Sequence, residues 1–421
     1  MSAYSETPSE ILHEIFAIAT KVPDPLVCFV QDYYGSRRDV TRRPYQSYKE
    51  SLAMKLTLCA VSRHWNAVAT PLLYERVIIS GFEGGNEWER TQAGLLLRTL
   101  NSSYSLDAEA PNGGARLGTF IRRLDLTFSD GDERNQCHPE LTGRGIAEIV
   151  SKLSNLEVLG VRSSPGASPL DTLQHLHWRT GASDIQIPIP SLLDFLDAHP
   201  SLETFHMIYD FEELDLGEAA FSLWDRQSYP SLRHWVLRQN QVDVLADVPS
   251  TVFPNLEALT FHYHPHSNDN LARFTKFLRV HGRHLITLRL SPYGFLKDLL
   301  SVVARSCPRL KELHLAYPHA LVSSRRIQES SVVATMPQVT TLGLTLFDHY
   351  RDSHSSGWYM AIKLQWKLLF PGLRTIRLLE EIDVDRLRET PERLEEIANF
   401  CAEFGVTLED NNSFFEEIRS Q

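Results

Sequence analysis

Cysteine is sparse in this chain of 421 residues: Cys28, Cys59, Cys137, Cys307 and Cys401 are odd in number, far apart, and form no CxxC pair. Such spacing excludes a disulfide-framed fold and a thiolate zinc site. No apolar run is long enough to span a bilayer, and no basic stretch at the start precedes an apolar one, so no membrane partner and a reducing compartment, cytoplasmic or nuclear, are expected. A dominant basic patch is missing as well. The formal charge is −11, and residues 380–421 carry thirteen acidic and four basic side chains, or −9 of it. Residues 21–50 run the other way, with six basic against four acidic. Nucleic-acid affinity comes largely from phosphate neutralisation, so no nucleic-acid partner is expected. The acidic end reads as a solvated helix face.

Catalytic signatures are also absent. The chain has no G-x-S-x-G, no Gly-rich phosphate loop and no H-E-x-x-H. Its densest histidine cluster is "FHYHPHSND", with His262, His264 and His266 at alternate positions. Pro265 interrupts the strand that would align them, and no carboxylate or Cys pattern accompanies them. "QCHPE" (136–140) and "LQHLHW" (173–178) are weaker still. No catalytic residue, cofactor or metal is expected.

What is present begins with "TPSEILHEIF" at residues 7–16. Thr7 is placed to cap a helix, Pro8 suits its first position, and Glu10 stands where a capping box wants a carboxylate. Ile11, Leu12, Ile15, Phe16 and Ala19 share a face. Residues 21–49, with three prolines, a glycine and clustered arginines, read as a long insertion or loop. Leu58, Val61, Trp65, Val68 and Leu72 then recur as one helical stripe, with a break expected near Pro71. So small a helical core is marginal unless something covers it, either a partner or the rest of the chain.

Beyond residue 120 the chain repeats. L-x-x-L-x-L, allowing other apolar residues, recurs nine times, starting at 121, 156, 202, 232, 256, 285, 310, 339 and 373. A Pro-containing lead recurs too, as in "YPSLRHW", "FPNLEAL" and "CPRLKEL". Each motif alternates like a half-buried strand. Helical stripes stand between some of them, Ile146–Ile149–Val150–Leu153 and Leu296–Leu299–Leu300–Val303. A strand followed by a helix cannot bury its face alone, whereas stacked copies make a continuous core. The segment 162–190 reads as an excursion from the stack. The end offers a helix through Leu394, Ile397, Cys401 and Phe404, a stop at Gly405, and a last short strand.

"TPSEILHEIF" followed by "LTLCAVSRHWNAVATPLLYERVII" resembles the F-box, the helical module that binds the Skp-type adaptor of cullin-RING (SCF) ubiquitin ligases. The matching positions are Pro8, Glu10, Ile11, Leu12, Ile15 and Phe16, then Val61, Ser62, Arg63 and Trp65; Thr7 stands where the family has Leu. The repeats resemble a leucine-rich-repeat solenoid, with looser spacing and no evident asparagine after the strand. Together the resemblances imply an α/β chain: an F-box-like module over 1–80 with an insertion at 21–50, an entry segment over 81–120, and an irregular leucine-rich-repeat-like solenoid with a C-terminal cap over 121–421. They imply a substrate receptor of an SCF-type ligase. Pro8, Ile11, Leu12, Ile15, Phe16, Val61 and Trp65 would meet the adaptor, and through it a cullin. A protein target would meet the strand positions that face the concave side, among them Arg123, Asp125, His206, His234, Thr260, Arg289, Glu312, His314 and Arg377. The alternative is a repeat scaffold whose N-terminal helices only cap the solenoid.

Overall fold

The structure is a computed structural model that describes residues 7–22, 42–80, 92–107, 116–127, 139–161, 171–179, 186–187, 189–208, 210–211, 228–238, 242, 245–246, 248–262, 269–291, 296–316, 335–345, 366–379 and 381–410. The chain divides into two compact units, residues 1–27 with 41–209, and 28–40 with 210–421.

The first unit opens with three helices, α1 (Ser9–Ala19), α2 (Arg42–Val61) and α3 (Arg63–Glu75). Thr7 does not cap α1. Pro8 occupies the cap position without a side-chain bond, and its carbonyl accepts the Leu12 N–H at 3.1 Å. The helix thus starts one residue later than the sequence suggests, which puts Glu10 in the first turn, where its charge favours the helix dipole. The second correction concerns residues 42–49, which are helix rather than loop. Pro44 lies in the first turn of α2, where its missing N–H would lack a partner in any case, so it marks a start rather than a break. The rest of the insertion, 23–41, lies outside the described residues. The expected break at Pro71 is absent as well; Pro71 sits inside α3, and the chain breaks at Ser62, whose Oγ accepts the Trp65 N–H at 3.1 Å.

Strand β1 (Arg76–Ser80) comes directly after α3, then α4 (Gln92–Asp107), β2 (Arg123–Thr127), α5 (Pro139–Val150), β3 (Val158–Val161), β4 (His175–Arg179), the two-residue β5 (Gln186–Ile187), α6 (Ile189–Ala198) and β6 (Thr204–Ile208). Strands β1, β2, β3, β4 and β6 pair in that order, all parallel. Strand β4 corrects the sequence reading of 162–190 as an excursion. "LQHLHW" is a repeat of its own, with Trp178 in place of the last apolar residue of the motif, and Leu173, Leu176 and Trp178 are buried.

The second unit holds the two-residue β7 (Asp210–Phe211), β8 (His234–Arg238), β9 (Ala258–His262), α7 (Asp269–His281), β10 (Thr287–Ser291), α8 (Leu296–Ser306), β11 (Glu312–Ala316), β12 (Thr341–Thr345), α9 (Trp366–Leu369), β13 (Thr375–Leu378), α10 (Glu381–Arg388), α11 (Pro391–Glu403) and β14 (Thr407–Asp410). Its seven strands from β8 to β14, β7 apart, are again parallel and in chain order. Gly405, at φ +60°, ends α11 where the sequence places a stop.

Each of the nine motifs yields a strand that begins two residues after the motif starts. The alternation explains the layering. Leu124, Leu159, Leu176 and Phe205 form one buried register row in the first unit, and Trp235, Leu259, Leu288, Leu313, Leu342, Ile376 and Leu408 form one in the second. Ile146, Ile149, Val150 and Leu153 are buried, as are Leu299, Leu300 and Val303. A backbone relay fixes the stacking. Within each unit, the carbonyl just before a strand accepts an N–H from the next repeat: Glu75 from Arg122, Arg122 from Glu157 and Val158, Glu257 from Ile286 and Thr287, and Arg374 from Thr407. Side-chain amides add to it, since Asn155 donates to the Thr119 carbonyl and Asn255 to the Pro230 carbonyl, both at 2.8 Å. These asparagines precede their strands, which is why a search after the strand misses them.

Candidate docking surfaces

Helix α1 has two apolar stripes about 120° apart at 100° per residue. Leu12 (6% exposed) and Phe16 (3%) face inward and form a small core with Val68, Ala69 and Leu72. Leu58, Cys59 and half-buried Trp65 pack against it; the Phe16 and Trp65 ring centroids are 4.9 Å apart. The second stripe is Ile11, Ile15 and Ile18, exposed by 50%, 51% and 75%. On α2, Met54, Leu56 and Val61 are also exposed. An eleven-residue helix is marginal alone, so α1 is held by its inner stripe, while the outer one remains open in the isolated chain.

This geometry sorts the seven residues that the F-box resemblance assigns to the adaptor. Pro8, Ile11, Ile15 and Val61 are exposed, Leu12 and Phe16 are core, and Trp65 supports Phe16. Ile18, Met54 and Leu56 join the exposed set and were missed, although Ile18 lies at i+7 from Ile11, on the same stripe.

The face of the sheet opposite the core row is polar apart from Ile78 and Val236 at the start of each row. In the first unit, Ile78, Asp125, Gly160, His177 and His206 are register neighbours. Arg123 Nε donates to Asp125 Oδ2 at 2.7 Å, and Arg76 Nη2 stands 3.9 Å from the same oxygen. A Cβ at Gly160 would lie 2.7 Å from Asp125 Oδ1, so the glycine is what lets the carboxylate reach across strand β3. His177 and His206 face each other with their Nδ1 atoms 3.4 Å apart. Arg123, Asp125, His177 and His206 are all buried within the chain itself.

In the second unit the corresponding row is Val236, Thr260, Arg289, His314, Gly343, Arg377 and Glu409. Thr260 and Arg289 are buried, whereas the side chains of His314, Arg377 and Glu409 are 15%, 33% and 38% exposed. Arg377 pairs with Glu409 at 3.2 Å. His314 lies over Gly343, where a Cβ would meet its Cδ2 at 2.6 Å. Burial, helped by the positive charges of Arg289, Arg377 and His234, pushes the His314 pKa down to about 3. His314 is therefore neutral near pH 7, and its Nε2, 3.8 Å from Glu312 Oε2, makes no ion pair there. The neighbouring row, Thr287, Glu312, Thr341, Thr375 and Thr407, is half-buried. Of the nine positions assigned to a target, then, Arg123, Asp125, His206, Thr260 and Arg289 are buried, while His234, Glu312, His314 and Arg377 retain exposure.

Among the described residues no group of three or more His, Cys, Asp or Glu side chains could hold a metal, and no helix is long and apolar enough to cross a membrane. His262 ends β9; His264, His266, Cys137 and His138 lie outside the described residues. Burial raises the Cys307 thiol to about 12, so it is no thiolate at neutral pH.

No model of a known protein family matches the chain, and no curated protein matches it. Among solved structures, the crystal structure of the Rad7 and Elc1 complex in yeast contains a chain matched over 78% of this chain and 92% of that one, at 15% identity and a TM-score of 0.31. A score of that size does not establish a common fold. The fold found here is therefore the one its own strands define, a parallel α/β stack in two units, solenoid-like in each.

Proposed function

We propose that the chain is a non-catalytic receptor subunit of an SCF-type ubiquitin ligase. Helix α1 docks on the Skp-type adaptor, which links it to a cullin, and the strand stack holds a protein target. The observation that supports this most directly is the outer stripe of α1: three isoleucines at least half exposed on a short helix whose other stripe is buried. An apolar stripe of this kind marks an interaction site. Docking therefore uses Pro8, Ile11, Ile15, Ile18 and Val61, while Leu12, Phe16 and Trp65 support them from behind. The partly exposed second-unit positions His234, Glu312 and Arg377 are the ones a target can reach, whereas His314 is too deeply set to present its ring nitrogen. The mechanism is tethering, which raises the effective concentration of the target at the transferring enzyme and needs no nucleophile in this chain.

Co-purification of the full chain with a Skp-type adaptor tests this. Wild type should retain the adaptor, and Ile11→Asp/Ile15→Asp should lose it with an unchanged melting temperature, because neither side chain belongs to the core. A well-folded wild type that never retains the adaptor sinks the reading. The second reading, helices that only cap the stack, is favoured by the contact of Tyr48 on α2 with strand β1, whose Arg76 carbonyl accepts from the tyrosine hydroxyl at 3.4 Å.

A further inference from the structure

Helix α2 buries a polar stripe. Tyr48, Ser51 and Lys55, at i, i+3 and i+7, are each 8% exposed, although helices usually turn apolar residues inward. Each of the three has a specific counterpart. Ser51 Oγ donates to the Thr20 carbonyl at the end of α1 at 2.6 Å. Lys55 lies close enough to Glu75, the last residue of α3, for the two charges to attract, which offsets part of the lowering of its pKa by burial.

Tyr48 reaches strand β1. Its hydroxyl donates to the Arg76 carbonyl and accepts the Ile78 N–H, both at 3.4 Å. Strand β1 is the first of its sheet, and the Glu75 carbonyl, which accepts from Arg122, points toward β2. Because successive residues of a strand point their backbone groups to opposite sides, those of Arg76 and Ile78 point outward. The Tyr48 hydroxyl thus stands where the N–H and C=O of one residue of a neighbouring parallel strand would stand and closes part of an open sheet edge. The Arg76 guanidinium carbon is 5.6 Å from the Tyr48 ring centroid, and the same guanidinium approaches Asp125 on β2.

We propose that the Tyr48–Ser51–Lys55 stripe of α2 is a joint that locks the docking helix α1 in orientation to the parallel strands of the first unit, with Tyr48 as its key. Hydrogen bonds fix direction as well as distance, so this joint adds a set angle to the hold of the apolar core on α1. Whatever binds α1 is then held at a fixed angle to β1 and β2. The joint does not depend on what occupies the α1 stripe, so it stands or fails apart from the adaptor reading.

The test uses the full chain without a partner. Spin labels are attached through a non-natural keto side chain at Glu14 on α1 and Glu148 on α5, both exposed. Wild type should give a narrow distance distribution. Tyr48→Phe should broaden it about twofold and speed hydrogen exchange across residues 76–80 about tenfold, with exchange in α1 and α5 unchanged. Ser51→Ala, which cuts the link to α1 and leaves β1 alone, should broaden the distribution without affecting that exchange. An unchanged distribution in both variants overturns the proposal. So does a rise in exchange throughout the first unit, because the tyrosine would then be an ordinary stability contact.

Discussion

The two units use the same strand and differ on the face away from the core. In the first, the polar row is closed: Asp125 is gripped by Arg123 and approached by Arg76, Gly160 makes room for it, and His177 meets His206. In the second, the row opens along its length, from buried Thr260 and Arg289 to half-exposed Arg377 and Glu409. Both place a glycine in the row so that a polar side chain from the preceding strand can lie across it, Asp125 over Gly160 and His314 over Gly343. A polar residue on the outer face of a strand is thus no sign of a binding surface by itself. Whether the chain has already satisfied it decides.

The contrast between the units is most open to attack at Asp125. Asp125→Ala leaves the buried Arg123 guanidinium without the carboxylate it grips, beside partly buried Arg76, and should cost about 3–5 kcal/mol. Urea unfolding should show the loss, and hydrogen exchange should place it in the first unit. A loss below about 1 kcal/mol would mean that the cluster is as loose as a surface pair.

Next comes acid. His281 is buried, its Nε2 lies 3.1 Å from the Val248 carbonyl, and its pKa is pushed down to about 4, burial being the main cause. A histidine with a depressed folded pKa gives stability that is present above its unfolded value of about 6.5 and is lost as pH falls through that window toward the folded value. His281 should contribute roughly 3 kcal/mol of such loss between pH 6.5 and 4, and His314 adds to it in the same direction. Urea midpoints of wild type should fall more steeply from pH 7 to pH 5 than those of His281→Gln. Parallel slopes would show that the ring is already charged in the fold.

The smallest effect separates the two glycines. Gly343→Ala should cost about 1–3 kcal/mol, because the His314 ring is the end of a side chain that can shift. Gly160→Ala should exceed it, since the Asp125 carboxylate it meets is held by Arg123 at 2.7 Å. Equal losses, measured in the same urea series, would remove the distinction between a held and a yielding neighbour.

Much of this architecture could be read from the residues, and the failures have physical causes. Period-two alternation marked nine strands because burial of every second residue leaves a trace no loop imitates. Strand β4 escaped because Trp178 ended its motif and histidines filled its outer positions, which drew attention to metal chemistry instead. The start of α2 escaped because Pro44 reads as a breaker unless it falls in a first turn, and where a helix begins is set by tertiary contacts such as that of Tyr48. In the candidate site, helical spacing placed Ile11, Leu12, Ile15 and Phe16 together on one broad face, but it could not say that Leu12 and Phe16 turn inward while the isoleucines turn out. That division depends on where α3 lies. The burial of Arg123 and Asp125 was out of reach for the same reason, since a strand's outer face is polar whether water or the chain's own atoms cover it.

The backbone relay carries a consequence for how such a chain can change. Successive motifs are separated by as few as 24 and as many as 46 residues, the longest interval being the one that also contains β4, yet the strands stack in unbroken order within each unit. Because the register of each of these strands is set by the carbonyl just before its predecessor, residues can be gained or lost between strands, outside the buried helices and turns, without shifting the later strands. Such a scaffold separates the part that must be conserved in geometry from the part that can be rewritten, and new recognition loops can be acquired one repeat at a time.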